Sequence, residues 1–312
     1  MNIQAGTAPG RAAALVSALA LVVAGTGTVA AVAATGTPRP GGAVVHAVGQ
    51  PAQRGARTYW TPARMAAATP VPGRASGGPA SPAGIPSPTH FPGVPTVGAL
   101  FFTTGTKAHF CTASVVRSKP KNLVLTAAHC VYGSTYASNI AYVPEYHFGK
   151  RPYGTWPVTA ITVAAGWRQS HDPNLDFAFL AVTPPAGTSK PVQQVTGGLR
   201  LGTDRGYTHQ IEVIGYNNVG HQALGCATNS FEFMTNQMKF YCHDFQDGTS
   251  GGPWIIGYKS HKGTGTVFGV VGGYRQGGNV PWASYSAYFS TSVHELFLQA
   301  GGSDGRRVTG AA

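Results

Sequence analysis

The sequence of 312 residues is poor in charge, because only 10% of its residues are Asp, Glu, Lys or Arg. Acidic residues are scarcest: there are 10 against 22 basic residues, and none lies among residues 1–95. So little charge, combined with 43 glycines, favours a β-rich fold with many turns over a helical one. The basic excess forms no long run, which argues against nucleic-acid binding and for a role in solubility.

The N-terminal apolar run, residues 12–24, is too short for a typical membrane span. Arg11 precedes it, and residues 31–33 offer a cleavage site of small residues. Residues 1–34 therefore predict a secretory signal peptide. We expect a secreted, extracellular protein with no stable membrane insertion, and a retained anchor is the alternative.

Residues 35–95 hold 12 of the 23 prolines and are otherwise rich in small residues. Such a composition buries too little apolar surface to offset chain entropy, so it predicts a disordered pro-region or linker. Residues 59–65 are its one hydrophobic spot, which either docks on the following domain or is an isolated patch. We favour the isolated patch, and we expect residues 303–312 to be a flexible tail.

Cysteine is scarce as well, with only Cys111, Cys130, Cys226 and Cys242. No close Cys/His pairs have zinc-finger spacing, so we expect no metal and no other cofactor. An even cysteine count behind an export signal favours disulfides. Four cysteines allow three pairings, and their spacing does not choose among them.

Short apolar stretches recur between turn signals from residue 96 onward, for example residues 97–102 and 211–216. This pattern predicts an all-β barrel or sandwich over residues 96–302. Near its end, Ser292 and Glu295 fit a capping box that would begin a short helix.

Two short motifs in this region carry chemistry. Residues 247–254 place Ser250 in a glycine-rich turn. A serine hydroxyl is a weak nucleophile, which needs a neighbouring base and N–H donors for the developing oxyanion. Residues 123–130 are an apolar run followed by His129, and imidazole suits a base because its free pKa lies near neutrality. The alternative for the serine motif is a glycine-rich hairpin with an exposed serine.

With the histidine motif before the serine motif, the chain from about residue 97 to about residue 301 resembles the trypsin/chymotrypsin-like serine peptidases. The resemblance extends to the secreted bacterial branch related to glutamyl endopeptidases. It implies two six-stranded antiparallel β-barrels with a short C-terminal helix. It also implies hydrolysis of polypeptides through an acyl-enzyme intermediate, without a cofactor, and we expect a monomer.

The resemblance assigns roles to single residues. His129 would be the general base, Ser250 the nucleophile, and Asp176 the carboxylate that holds one imidazole tautomer. The N–H groups of Gly248 and Ser250 would form the oxyanion hole. Asp172, the other candidate carboxylate, precedes a proline and is better explained as a turn residue.

The disulfides that the resemblance implies are Cys111–Cys130 and Cys226–Cys242. It also places Thr249 where the digestive enzymes have an aspartate that receives the new N-terminus after zymogen cleavage. A neutral threonine cannot form that ion pair, so an inhibitory N-terminal segment would act by covering the site or by guiding folding.

Specificity is less determined by the sequence. Asp244 lies where trypsin-like enzymes place a pocket carboxylate, which would favour Arg or Lys, but we favour an exposed turn residue. Glutamyl preference goes with a histidine on the strand after the serine. Gly272 and Gly273 stand there instead and would leave an open pocket wall.

Two other functional classes stay open. One is a catalytically silent domain that keeps the three residues and binds partners outside the cell. The other is a wall-associated basic protein with a proline-rich arm. The same three residues would also serve an esterase.

Overall fold

The computed structural model describes residues 42–71, 79–217 and 222–302. The signal peptide and the tail, predicted for residues 1–34 and 303–312, lie outside the described residues. No helix among the described residues is long and apolar enough to cross a membrane.

Strands dominate the fold. They are β1 Ala43–Ala47, β2 Thr69–Pro70, β3 Thr89–Phe91, β4 Val97–Thr104, β5 Lys107–Val115, β6 Leu123–Thr126, β7 Ser138–Pro144, β8 Trp156–Ala164, β9 Ala178–Val182, β10 Arg200–Leu201, β11 Gln210–Tyr216, β12 Ala223–Met234, β13 Gln237–Tyr241, β14 Pro253–Lys259, β15 Thr264–Val270 and β16 Ala283–Ala287. The α-helices are α1 Gln50–Tyr59, α2 Pro62–Ala67, α3 Ala165–Ser170, α4 Val192–Thr196 and α5 Thr291–Gln299.

Strands β4 to β9 form a closed antiparallel barrel, in the order β8-β7-β4-β5-β6-β9 and back to β8. Strand β6 is buried along its whole length, which suits its run of apolar and β-branched residues. It pairs with β9 in the register Leu125 opposite Phe179. Because the pair is antiparallel, the end of β6 lies beside the start of β9, at one rim of the barrel.

A second sheet has the order β10-β15-β14-β11-β12-β13-β16, with β3 beside β12. Within the described residues its strand ladder does not close. Strand β16 instead meets the end of β15 through hydrogen bonds from Gly272 N to Tyr285 O, 2.9 Å, and from Val270 N to Ser286 Oγ, 3.0 Å. The predicted all-β fold of two barrels is thus confirmed, and the second barrel is closed less regularly than the first.

The disorder predicted for residues 35–95 is wrong for much of that segment. Strand β1 pairs antiparallel with β8, at residues of β8 that do not pair with β7. Strand β2 pairs parallel with β5. Between them, Trp60 is 1% exposed and packs on Phe101 with ring centroids 5.2 Å apart. Met65 is buried too. Residues 59–65 therefore dock on the barrel and are not an isolated patch.

Helix α5 forms near the predicted place, but its cap differs. Ser290 is the N-cap and accepts a hydrogen bond from Ser292 N, so the predicted capping box of Ser292 and Glu295 is wrong. The apolar face packs on the first barrel, where Phe297 lies 5.5 Å from Phe179 between ring centroids. Gly301 follows the helix with φ 91°, a left-handed conformation that suits glycine just after the end of a helix.

Candidate active site

His129 and Asp176 meet at the barrel rim where β6 ends and β9 begins. His129 lies in a 3-10 turn, Ala128–Cys130, just after β6, and Asp176 immediately follows the 3-10 turn Pro173–Leu175 before β9. His129 Nδ1 is 2.8 Å from Asp176 Oδ2, and His129 N donates to Oδ1 at 2.9 Å. Pairing between adjacent strands therefore brings together two residues that are 47 positions apart.

The carboxylate of Asp176 is fully enclosed, with 0% of the side chain exposed, and the His129 side chain is 4% exposed. A third donor, Gly273 N, reaches Oδ2 at 2.9 Å. A buried carboxylate is tolerated only when such donors satisfy it. Since a carboxylate accepts, Nδ1 of His129 carries the proton here, and Nε2 is left as the basic nitrogen.

Ser250 lies beside this pair, in the turn that precedes β14. Its backbone oxygen accepts from Thr112 N at 2.8 Å and lies 3.9 Å from Cys130 Sγ, and Cys130 is the residue after His129. Within the described residues the Ser250 hydroxyl has no hydrogen bond to the imidazole. Such bonds are often long without substrate and tighten when it binds.

The turn around Ser250 requires its glycines. Gly248 has φ 97°, and a Cβ there would lie 2.5 Å from the Phe110 ring. Gly251 has φ 81°, and a Cβ there would overlap the carbonyl of Thr112. Throughout the described part of the chain, no acceptor is bonded to the N–H of Gly248 or of Ser250. Both groups are therefore available to an oxyanion.

Thr112 is a polar residue of this site that the sequence analysis missed. Its hydroxyl donates to Gly248 O and accepts from Tyr216 N, each at 2.9 Å. Its carbonyl accepts from Thr126 Oγ1 at 2.8 Å. The side chain is completely buried, and it ties the serine turn to the first barrel. Its position next to Cys111 in the sequence is the one signal that points to it.

Both disulfides that the resemblance implies are present, Cys111–Cys130 and Cys226–Cys242. The first joins β5 to the turn that carries His129. Cys111, His129 and Cys130 are close enough together to suggest a metal site. Their two sulfurs are bonded to each other, however, and metals bind the free thiolate.

The remaining candidate residues differ in their exposure. Asp244 is exposed in a turn with φ 61°, so it is not a buried pocket carboxylate. Gly272 and Gly273, predicted to leave an open pocket wall, are buried, and both lie next to Asp176. Asp172 accepts from Asn174 N at 2.9 Å and caps a 3-10 turn, which confirms its assignment as a turn residue.

A cavity of about 300 Å³ opens beside His129. Phe102, Trp167 and Gln276 line it from the barrels, and Val71 lines it from the N-terminal segment. The N-terminal segment thus reaches the same space as the imidazole. Tyr216 does not line this cavity, and its burial raises the pKa of its phenol far above the ordinary value, so the phenol stays neutral.

Comparisons with known proteins agree with this architecture. The family model described as Trypsin matches residues 87–292. Among solved structures, the protease Anisep from Arthrobacter nicotinovorans has a TM-score of 0.61 and 26% identity, covering 68% of this chain and 98% of that one. The thermostable serine protease AL20 from an extremophilic microorganism has a TM-score of 0.59 and 25% identity, covering 66% and 97%.

A Glu endopeptidase solved in complex with MPD shares the fold, with a TM-score of 0.54, and covers 70% of this chain and 98% of its own. Its identity to this chain is only 16%, so it is similar in fold alone. No curated protein matches the chain.

Proposed function

Because the chain belongs to the trypsin family of serine-type endopeptidases, we propose that it is a secreted enzyme whose triad is His129, Asp176 and Ser250. The observation that carries the proposal is the enclosed carboxylate of Asp176, which accepts from the imidazole and two backbone N–H groups. Such an arrangement fixes the imidazole tautomer that a general base needs.

The chemistry follows from these positions. Ser250 Oγ attacks the carbonyl carbon of a peptide bond while His129 Nε2 takes its proton, and the imidazolium is stabilised by Asp176. The N–H groups of Gly248 and Ser250 bind the oxyanion, and the loss of one such donor costs about 3–4 kcal/mol. His129 then gives its proton to the leaving amine, and water hydrolyses the acyl-enzyme by the same route.

Secretion is part of the proposal for two reasons. Residues 1–34 have the composition of an export signal. The two disulfides form and persist in oxidising compartments outside the cytosol. We propose polypeptides as substrates of a monomeric enzyme, without a preference for glutamate, since no histidine stands near Gly272 and Gly273 on the strand after the serine.

The N-terminal segment, residues 42–71, serves in this proposal as a docked pro-region that covers part of the site. Thr69–Pro70 holds the edge of β5 next to Cys111, and Val71 lines the His129 cavity. Thr249 is buried and donates its hydroxyl to Gln246 O at 2.7 Å, with no charge to receive a new N-terminus. Covering is therefore the mode of inhibition that this chain favours.

Labelling with a fluorophosphonate tests the catalytic role. The secreted protein should be labelled, and Ser250→Ala should abolish both labelling and peptide cleavage. Ser292→Ala, on helix α5, is the matched control and should keep both. Labelling that persists in Ser250→Ala would reject Ser250 as the nucleophile. A folded wild-type protein that is neither labelled nor active would support the silent binding domain instead.

A further inference from the structure

Gln237 is a buried amide that the catalytic scheme does not use. It opens strand β13, and its residue is 3% exposed. Its Nε2 donates to Pro173 O at 3.0 Å and to Asn174 Oδ1 at 2.8 Å. Its Oε1 accepts from Tyr274 N at 3.0 Å. All three bonds run to residues that are distant from Gln237 in the sequence. The side chain therefore links segments that no contact between sequence neighbours would hold together.

The two segments that Gln237 joins both help to hold Asp176. Pro173 and Asn174 belong to the 3-10 turn that ends immediately before Asp176. Tyr274 follows Gly273, whose N–H donates to Asp176 Oδ2 at 2.9 Å. One amide therefore fixes the backbone that carries the carboxylate and the backbone that donates to it.

The packing around the amide is tight. Gly273 has φ 69°, and a Cβ there would lie 2.5 Å from Gln237 Oε1 and 2.8 Å from Ala287 N. The glycine thus brings its own N–H to Asp176 while leaving room for the glutamine behind it. Gln237 and Gly273 are therefore in close contact with each other beside the Asp176 carboxylate.

We propose that Gln237 is a positioning residue for Asp176, an inference that rests on the proposed triad. Without the amide, Tyr274 N and Pro173 O lose their partner Gln237, and among the described residues no other hydrogen bond ties Pro173 to Tyr274. The loss of a hydrogen bond that a buried side chain makes is costly enough to shift a loop. The carboxylate then loses the placement that holds the imidazole. A misplacement of about 1 Å in a catalytic group can lower turnover about 100-fold.

The experiment compares Gln237→Leu with Gln193→Leu in the secreted enzyme on one peptide substrate. Gln193 is the matched control, since its amide accepts from Ser118 N at 2.8 Å away from Asp176. Gln237→Leu should lower kcat about 100-fold with little change in KM, as expected when a catalytic group is misplaced. Its acid limb in the pH profile of kcat/KM should move to lower pH, because a displaced carboxylate stabilises the imidazolium less.

Gln193→Leu should leave kcat and the acid limb unchanged even where it lowers Tm. Equal behaviour of the two variants would overturn the proposal. If Gln237→Leu does not fold, Asn174→Ala replaces it, because it removes a single bond of the amide at a half-exposed position. An unchanged kcat and acid limb in Asn174→Ala would then overturn it.

Ser250→Ala is assayed in parallel to separate this inference from the proposed function. If Ser250→Ala is inactive while Gln237→Leu matches the control, only the role of Gln237 fails. If Ser250→Ala keeps full activity, the triad itself fails, and the inference about Gln237 fails with it.

Discussion

At the scale of single residues, Thr112 connects the nucleophile turn to the first barrel. Thr112→Val keeps the shape of the side chain but removes the hydroxyl that Gly248 O and Tyr216 N share. Leaving these buried groups unpaired should destabilise the protein by about 1–3 kcal/mol. Because Gly248 also supplies a proposed oxyanion donor, kcat should fall as well. Thermal unfolding and peptide hydrolysis measure the two effects.

Thr103→Val is the matched control for Thr112→Val. Thr103 is also buried in the first barrel, and its hydroxyl donates to Ser138 O at 3.3 Å, away from the serine turn. It should lower Tm without lowering kcat. A Thr112→Val variant that is destabilised but fully active would show that the hydroxyl supports the fold alone.

A site residue can be predicted from the sequence when the residues next to it in the sequence form a recognisable motif. His129 and Ser250 stand within short motifs, and Asp176 comes just before an apolar strand, so each has neighbours that mark it. Thr112 has only its position next to Cys111, and Gln237 has no such neighbour. Their partners Gly248 and Pro173 are 136 and 64 positions away, so only the folded chain shows the contact.

At the scale of secondary-structure elements, the same distinction separates the strands from the N-terminal segment. The strands of the barrels were predictable because each carries its own apolar run between turn signals. Residues 42–71 are rich in small residues, and their order comes from surfaces that they do not contain: the open edge of β8 and the aromatic ring of Phe101. A prediction from the composition of a segment cannot detect that one of its large side chains fits a surface formed by other parts of the fold.

Trp60 should therefore be the anchor of this segment. Trp60→Ala removes a side chain that is almost fully buried and that donates its indole N–H to Asn139 O. Truncation of a buried aromatic ring costs about 3–5 kcal/mol. We expect the substitution to weaken the docking of residues 42–71 on the first barrel and to leave the barrels folded. Helices α1 and α2 should then become sensitive to added protease, while the barrels stay intact. Limited proteolysis followed by mass spectrometry gives the measurement.

Phe148→Ala provides the comparison for Trp60→Ala, because Phe148 is a large apolar residue that is 61% exposed. It should leave the cleavage pattern of the wild type unchanged. If Trp60→Ala also leaves α1 and α2 protected, pairing of β1 with β8 is enough to hold the segment, and Trp60 is not its anchor.

At the scale of the whole molecule, the site depends on both barrels and on the added segment. The first barrel supplies His129 and Asp176, and the second supplies Ser250 together with the N–H of Gly273. The segment before residue 87, where the family match begins, adds Val71 to the His129 cavity. Thr69 and Pro70 pair with His109 and Phe110, so they hold a strand edge beside the catalytic residues.

An extended peptide that passes over Ser250 would need this strand edge, since peptides commonly bind by adding a strand to an exposed edge. If residues 42–71 occupy the edge of β5, only a fraction of the molecules can bind the peptide there. The apparent affinity for the peptide is then reduced in proportion to that fraction. Releasing the segment should therefore lower KM for peptides extended on one side of the scissile bond. The kcat and the rate with a short ester should stay unchanged, because the triad is not altered.

The test uses a chain in which residues 72–78 are replaced by the recognition sequence of a specific protease. After cleavage, the segment is removed and a synthetic peptide of residues 42–71 is added back. The peptide should raise KM again, whereas the same peptide with Trp60→Ala should not, because its anchor is missing. Binding of the wild-type peptide with no change in KM for any extended substrate would mean that the segment stabilises the barrel without covering the site.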